Sequence, residues 1–306
     1  MATKDFIAIA DFSPGQLQAL LARAVGDKKL FRSGELPASC PRKTLALIFQ
    51  KPSLRTRVSF EAAIVQLGGS AIYLAEEHIG LGKREPVGDV AEVVGRMCDA
   101  ITARTFEHRT VVELAAAAGV PVINALTDYS HPCQAMADVM TMMEICGDLA
   151  GRKLAFIGDG NNVARSLAAL CGKLGIKFVL ACPKGYELQE QLVTSPEAPP
   201  PEQTNDAPSA VAGADVIYTD TWVSMGQEQQ RRKRLADFER FQVNDELLAA
   251  APDHAVVMHC LPAYRGCEIS EAAMAAHAQT IFAQAENRLH FQRTLLNVLI
   301  GEGGIR

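Results

Sequence analysis

Short apolar runs alternate along the chain with longer stretches in which apolar residues recur every three or four positions. Leu45-Ala46-Leu47-Ile48-Phe49 is a compact run and predicts a strand; the spacing over 56–67 predicts a helix, which Gly68-Gly69 stops. The alternation continues with a strand at Ala71-Ile72-Tyr73-Leu74, a polar glycine-containing loop over 76–88 and a helix from Val90 to Cys98. A strand at Ala100-Ile101-Thr102-Ala103, a helix over 109–118 and a strand from Val120 to Ala125 follow. His131-Pro132-Cys133-Gln134 opens a long helix rich in Met and Ala that runs to about Cys146. A second series starts at Lys153, with strands at 154–157, 178–181, 216–219 and 256–260, and a helix that follows Asn162. The last amphipathic pattern covers Asn287 to Ile300. Residues 194–210, dense in Pro, Ser, Glu and Ala, predict a surface excursion with at most a short strand near 202–205.

Short apolar strands alternating with amphipathic helices imply parallel sheets covered on both faces. The expected fold class is therefore α/β, with two three-layer domains built on parallel central sheets. The turn at 147–152 separates them, so the expected domains are 1–147 and 148–285, with 286–306 as a C-terminal helix. A chain of 306 residues is long enough for two such cores.

Composition narrows the function classes. Apolar residues make up 48% and charged residues 21%, as in an ordinary soluble globular protein. A net charge of -5 argues against a general nucleic-acid surface. The dense basic run Arg231-Arg232-Lys233-Arg234 is flanked by glutamines and acids and predicts a solvated helix face. Eight cysteines show no Cys-x2-Cys spacing, and most read as buried free thiols of a reducing compartment. The histidines supply no three-ligand set, so no metal is expected, and no organic cofactor is expected either. With no membrane-length apolar stretch and no leader pattern, the expected location is cytoplasmic, without membrane or nucleic-acid partners.

The candidate chemistry lies where predicted strands end, which is where parallel α/β proteins bind ligands. Ser53-Leu54-Arg55-Thr56-Arg57 places two guanidinium groups and two hydroxyls at the first turn of a helix. Free backbone N–H groups there favour an anion, and arginine suits a bidentate grip on phosphate. A surface salt-bridge cluster is the alternative. Arg104 follows another strand, and His131 with Gln134 can present donors to a carbonyl oxygen, or His131 can simply be a satisfied helix-start histidine. Gly158-Asp159-Gly160 lacks the third glycine and the ribose-binding acid of a dinucleotide site, and Asn161-Asn162 put amides where a pyrophosphate needs bare backbone. Asp220-Thr221-Trp222-Val223-Ser224-Met225 reads either as a helix cap or as a loop in which Asp220 holds an amino group. Cys260 reads as a core thiol or, beside Asp220, as a group that orients or deprotonates an amine; His259, one place earlier on a strand, is expected to face the other way. Six such strand ends point to one cleft.

Together these stretches resemble the aspartate/ornithine transcarbamoylase family, over nearly the whole chain and on its ornithine-using side. The resemblance implies that Ser53, Leu54, Arg55, Thr56 and Arg57 bind the phosphate of carbamoyl phosphate. It implies that Arg104, His131, Gln134, Cys260, Leu261 and Arg288 contact the same substrate, and that Asn162, Asp220, Ser224 and Met225 hold ornithine. Arg57, Arg104, His131, Asp220 and Cys260 are the expected catalytic residues. The family further implies a homotrimer or a multiple of it, a carbamoyl-phosphate domain first, and a final helix that returns to that domain. Gly80 stands where many members carry glutamine or histidine, in a loop that reaches a neighbouring subunit's site. His78 or Lys83 could take over that contact, or the loop could contribute nothing, and Gly80→Gln is expected to be tolerated or to improve phosphate affinity.

Overall fold

A computed structural model describes residues 4–189 and 200–302. The chain divides into two compact units, Met1–Met140 with Asn287–Arg306, and Thr141–Glu286.

In the first unit, strands β1 (Thr44–Phe49), β2 (Ser70–Ala75), β3 (Ala100–Arg104) and β4 (Val122–Leu126) form a parallel sheet in the order β2-β1-β3-β4. Its helices are α1 (Pro14–Arg32), α2 (Leu54–Gln66), α3 (Glu76–Ile79), α4 (Val87–Met97), α5 (His108–Ala117) and the start of α6 (Pro132–Cys146). Leu45 to Ile48 are buried throughout, as befits a strand with helices on both faces. Ala46 and Ile48 pack with Val90, Ala91, Val111 and Leu114, from α4 and α5.

Helix α1 is absent from the sequence-based expectation. Its buried positions, Leu17, Leu20, Leu21, Ala24, Asp27 and Lys28, follow helical spacing, but two are charged and interrupt the apolar stripe. A start signal was legible: Ser13 caps the helix, accepting from Gln16 N, while Gln16 Oε1 accepts from Ser13 N at 2.8 Å. The polar segment 76–88 also holds more structure than expected, a single helical turn at α3 and the first residues of α4.

In the second unit, β5 (Lys153–Ile157), β6 (Lys177–Ala181), β7 (Glu202–Thr204), β8 (Val216–Thr219) and β9 (Val256–His259) form a parallel sheet in the order β7-β6-β5-β8-β9. Helices α7 (Asn162–Leu174), α8 (Ala207–Val211), α9 (Arg231–Phe238), α10 (Asp245–Leu248) and α11 (Glu271–Ala276) accompany it. Ala155, Ile157, Ile217 and Val257 pack with Val211, Trp222, Phe238 and Met274 in the core. Of the expected excursion at 194–210, residues 194–199 lie outside the described residues. The rest is regular: β7 extends the sheet edge and α8 follows, capped by Asp206. The last helix, α12 (Ala278–Ile300), begins earlier than its sequence pattern indicates. Among the described residues no helix is long and apolar enough to cross a membrane.

Both sheets reverse direction of growth once. The chain adds β2 on one side of β1, then crosses to add β3 on the other; it adds β6 and β7 on one side of β5, then crosses to add β8. The loops leaving β1 and β3 diverge at the first reversal, and those leaving β5 and β8 at the second. Such switch points open a crevice at the carboxyl ends of the strands.

Candidate active site

In the first unit the switch point carries the Ser53 turn and Arg104. Ser53 is the N-cap of α2, with extended backbone, and its Oγ donates to Thr56 Oγ1 at 3.0 Å. Ser53 Oγ also accepts from Thr56 N at 3.4 Å, and the N–H groups of Leu54 and Arg55 are left to favour an anion. Thr56 is fully buried, and its Oγ1 also accepts from Arg288 Nη2 at 2.7 Å. Arg55 is half-buried and makes no hydrogen bond or ion pair with any described residue, so its guanidinium is available to a ligand. Arg57 is not brought into this group. Its Nε donates to Glu61 Oε1 at 2.9 Å, and the guanidinium lies 3.9 Å from the Tyr73 ring centroid. Leu54 is solvent-exposed, so only its backbone can contribute.

Arg104 ends β3, and Gln50 N donates to its carbonyl oxygen at 2.8 Å. His131 is buried; desolvation first, then the charges of Arg288 and Arg104, hold its pKa well below the ordinary imidazole value. A neutral imidazole among cations can donate to a carbonyl oxygen without adding another charge. Gln134 Nε2 donates to Asp138 Oδ1 at 2.8 Å, which leaves Oε1 as the acceptor that an NH2 group needs. Cys133 faces the core: burial pushes its thiol up to about 12, and Sγ lies 3.5 Å from Asn124 O.

Lys51 belongs to this corner although sequence reasoning passed over it. It is 8% exposed, its Nζ lies 4.3 Å from the Phe106 ring centroid, and burial followed by Arg104 lowers its pKa. The available signal was a lysine directly before the turn, at the end of a strand buried on both faces.

In the second unit Asn161, Asp220 and Cys260 follow three neighbouring strands and touch. Asn161 Oδ1 caps α7, accepting from Val163 N and Ala164 N, while its Nδ2 donates to Asp220 Oδ2 at 2.7 Å. Asp220 Oδ1 accepts from Thr221 N at 2.7 Å and from the Cys260 thiol at 2.9 Å. Asp220 is thus an oriented acceptor at the end of β8, and Asn161, rather than Asn162, is spent holding it. Asn162 starts α7 and is only half-buried. Ser224 is half-buried and Met225 exposed, on a loop braced where Ser224 N donates to Gln227 Oε1 and Gly226 N donates to Glu228.

His259 does not face away from Cys260. The strand ends at His259, so strand alternation no longer governs the pair. Leu261 N donates to His259 Nδ1 at 2.9 Å, and Nε2 lies 3.2 Å from Glu268 Oε1. These contacts select the Nε2-protonated tautomer. Potential ligand atoms of Asp220, His259 and Cys260 lie within 4.8 Å of one another. A cation there would have to displace both the thiol proton and the Leu261 N–H from these atoms.

The Gly158-Asp159-Gly160 segment is shaped for packing. Gly160 N donates to Tyr186 O at 2.8 Å, and a Cβ on Gly160 would lie 2.6 Å from Leu188 N. The close backbone approach is therefore taken up by residues 186–188, where a pyrophosphate would have to sit. Asp159 pairs with Arg234. The expectation of a solvated face at 231–234 fails at Arg234, which is 4% exposed, donates from Nε to Trp222 O and lies against the rings of Tyr186 and Phe238.

Gly80 terminates α3 with φ +61, in the left-handed region, and a Cβ there would lie 2.9 Å from Arg84 Cβ. The backbone itself requires glycine at this point. Nearby, Lys83 Nζ pairs with Glu76 at 3.1 Å and His78 is exposed.

Two parallel α/β units, one with an anion-receiving helix turn flanked by cations and the other with an oriented carboxylate–thiol pair, define a two-domain protein that handles small polar ligands at its strand ends. Residues 4–144 match the carbamoyl-P binding domain of aspartate/ornithine carbamoyltransferase, and residues 150–299 match its Asp/Orn binding domain. The chain belongs to the aspartate/ornithine carbamoyltransferase family. It is 46% identical over 303 residues to an ornithine carbamoyltransferase of Anoxybacillus flavithermus, covering 97% of this chain and 96% of the relative. The structure of an ornithine carbamoyltransferase from Pyrococcus furiosus resembles it with a TM-score of 0.93 at 42% identity, over 99% of this chain and 98% of the other. One from Thermus thermophilus gives a TM-score of 0.88 at 44% identity, over 97% and 99%.

Proposed function

We propose that the chain transfers the carbamoyl group of carbamoyl phosphate to the side-chain amine of L-ornithine, giving L-citrulline and phosphate for arginine biosynthesis. The observation that carries this reading is the end-to-end similarity to proteins named ornithine carbamoyltransferase, over 97% of the chain at 46% identity. Carbamoyl phosphate is assigned to the unit of Met1–Met140 and Asn287–Arg306, and ornithine to that of Thr141–Glu286, following the descriptions of the matched domains.

The phosphate sits on the first turn of α2, taken by Arg55, the Ser53 and Thr56 hydroxyls and the backbone N–H groups around Leu54. Arg288 reaches the same turn through Thr56. Arg57 must first leave Glu61 to assist, and an exposed ion pair of that kind is worth at most about 1 kcal/mol. Arg104 and neutral His131 polarise the carbamoyl oxygen, and Gln134 Oε1 accepts from its NH2. Asn162, Asp220, Ser224 and Met225 orient the amino-acid end of ornithine.

An alkyl ammonium has an ordinary pKa of about 10.4, so the attacking nitrogen must shed a proton before it is nucleophilic. The amine binds in its neutral form, its first proton left to solvent, beside the Asp220 carboxylate and Cys260 thiol, which are hydrogen-bonded to one another. Attack on the carbonyl carbon forms a tetrahedral oxyanion that the cationic donors stabilise. The C–O bond to phosphate then breaks, and phosphate leaves with the second proton, the one the nitrogen gives up as the new C–N bond forms.

A homotrimer in the cytoplasm completes the proposal. Exposed apolar residues on the first unit, Leu54, Val58 and Val65 on α2, Ile72 on β2 and Met97 at the end of α4, support burial against further copies. Eight cysteines, all free, support a reducing compartment.

Ureido-product formation with ornithine, aspartate and putrescine assayed in parallel tests the activity. Citrulline from ornithine alone is expected. Preference for either other acceptor, or no product from any, would refute it. Sedimentation analysis tests the trimer, and a monomer at assay concentration refutes that part alone.

A further inference from the structure

Helix α12 meets the proposed phosphate turn through Arg288, whose Nη2 donates to Thr56 Oγ1 at 2.7 Å. The position of that guanidinium depends on where α12 lies along its own axis. Its buried apolar residues Phe291, Leu295 and Leu296 decide which side packs inward. Apolar contact is non-directional, so it sets the axial position only loosely. Hydrogen bonds are directional, and of those that tie this helix to its neighbours three sets lie within the first unit. Lys28 Nζ, on α1, donates to Asn287 Oδ1 at 2.7 Å. Two turns further along α12, about 10 Å away, Thr294 Oγ1 donates to Asp27 Oδ2 at 2.8 Å. Arg293 Nη1 donates to Gln66 Oε1 at 2.7 Å, at the last residue of α2, whose first turn holds Thr56.

These groups are buried: Asn287, Arg293 and Thr294 are fully so, and Lys28 is 5% exposed. A slip of one residue shifts α12 by about 1.5 Å and breaks all three sets, leaving buried polar groups unsatisfied. Buried polar pairs serve best as devices that select one register. The Lys28–Asn287 contact stands out among them because Asn287 is the residue next to Arg288.

We propose that Lys28, through Asn287, is a positioning residue for carbamoyl phosphate: it fixes the register of α12 that holds Arg288 at the phosphate-binding turn. This rests on the carbamoyl-phosphate reading of that turn. Lys28 touches no substrate and acts through the helix alone.

The test compares Lys28→Met, Lys28→Arg and Leu17→Ala by steady-state kinetics and by calorimetric titration with carbamoyl phosphate. Lys28→Met should weaken carbamoyl phosphate by about tenfold in both KM and Kd, with kcat and the ornithine KM within about twofold of wild type. Lys28→Arg restores a donor and should recover most of the affinity. Leu17→Ala truncates a fully buried residue of the same helix that makes none of these hydrogen bonds, so it should lower stability and leave carbamoyl-phosphate affinity intact. Unchanged affinity in Lys28→Met, or an equal loss in Leu17→Ala, overturns the proposal. If Lys28→Met fails to fold, Thr294→Val removes the second contact and must weaken carbamoyl phosphate in the same direction; wild-type affinity there overturns it too. A wild-type protein that binds no carbamoyl phosphate refutes the underlying reading, whereas normal wild-type binding with unaltered variants refutes the positioning role only.

Discussion

Replacing Arg234 by methionine should damage ornithine use from a position that makes no proposed contact with ornithine. The guanidinium joins two strand-end loops, donating to Trp222 O in the Asp220–Met225 segment and pairing with Asp159 after β5. Both partners are largely buried, so water cannot replace the lost donor. Breaking a buried pair by removing one member costs about 3–5 kcal/mol. Asp159 can relieve part of this by taking up a proton, because burial already raises its pKa even with Arg234 present. A loss near the lower end, about 3 kcal/mol by urea unfolding, is therefore expected. The ornithine KM should rise by about tenfold or more as the loop loosens, while carbamoyl-phosphate affinity, assigned to the other unit, should not change. Trp222 is the chain's one tryptophan, stacked 5.8 Å from Phe238, so its emission reports the loop directly and should shift to the red. Adding Asp159→Asn removes the stranded carboxylate and should restore stability without restoring the ornithine KM, since Trp222 O still lacks its donor. A folded Arg234→Met protein with wild-type ornithine KM and unshifted emission would refute the clamp.

Arg55→Gln should lower kcat/KM for carbamoyl phosphate by about 100-fold or more, and Arg57→Gln by less, because only Arg57 is engaged with Glu61 and Tyr73; the reverse order would show that Arg57 turns fully to the phosphate. His131 has a folded pKa depressed well below 6.5, so the unfolded chain binds a proton that the folded chain refuses. Stability should therefore fall as pH drops below about 6.5, by at most about 1.4 kcal/mol per pH unit from this group, down to its folded pKa. The difference in urea stability between wild type and His131→Asn, measured from pH 5 to 7, should grow in favour of the variant on acidification; a flat difference would mean His131 titrates normally. Gly80→Gln, tolerated on sequence grounds alone, should cost about 1 kcal/mol or more of stability, since φ is +61 and the new Cβ crowds Arg84. Thermal unfolding with an unchanged midpoint would show that the turn relaxes freely.

Strands β1, β3, β5, β8 and β9 were legible because a buried parallel strand leaves a mostly apolar run, and their loops were legible because chemistry concentrates after them. Helix α1 escaped because Asp27 and Lys28 occupy its buried face, where a pattern search expects apolar residues. Arg234 was misread for a related reason: in sequence it is one of four basic residues, and only the fold separates the one that meets Asp159 from the three on the outside. The Ser53–Arg57 signature identified a phosphate turn but could not divide labour within it. Arg57 pairs with a residue one turn along its own helix and with Tyr73 of a different strand.

Residue order alone thus determined the α/β class, the strand-end loops that bear the chemistry and the family to which they belong. Those properties depend on local periodicity and on short motifs, which are written contiguously. Tertiary structure decided which atoms are already committed. Asn161 caps a helix and holds Asp220, the Cys260 thiol faces that carboxylate, and Lys28 meets Asn287 across the sequence. Such pairings follow from strand order and helix register, which arise only when distant segments pack, so no local pattern encodes them.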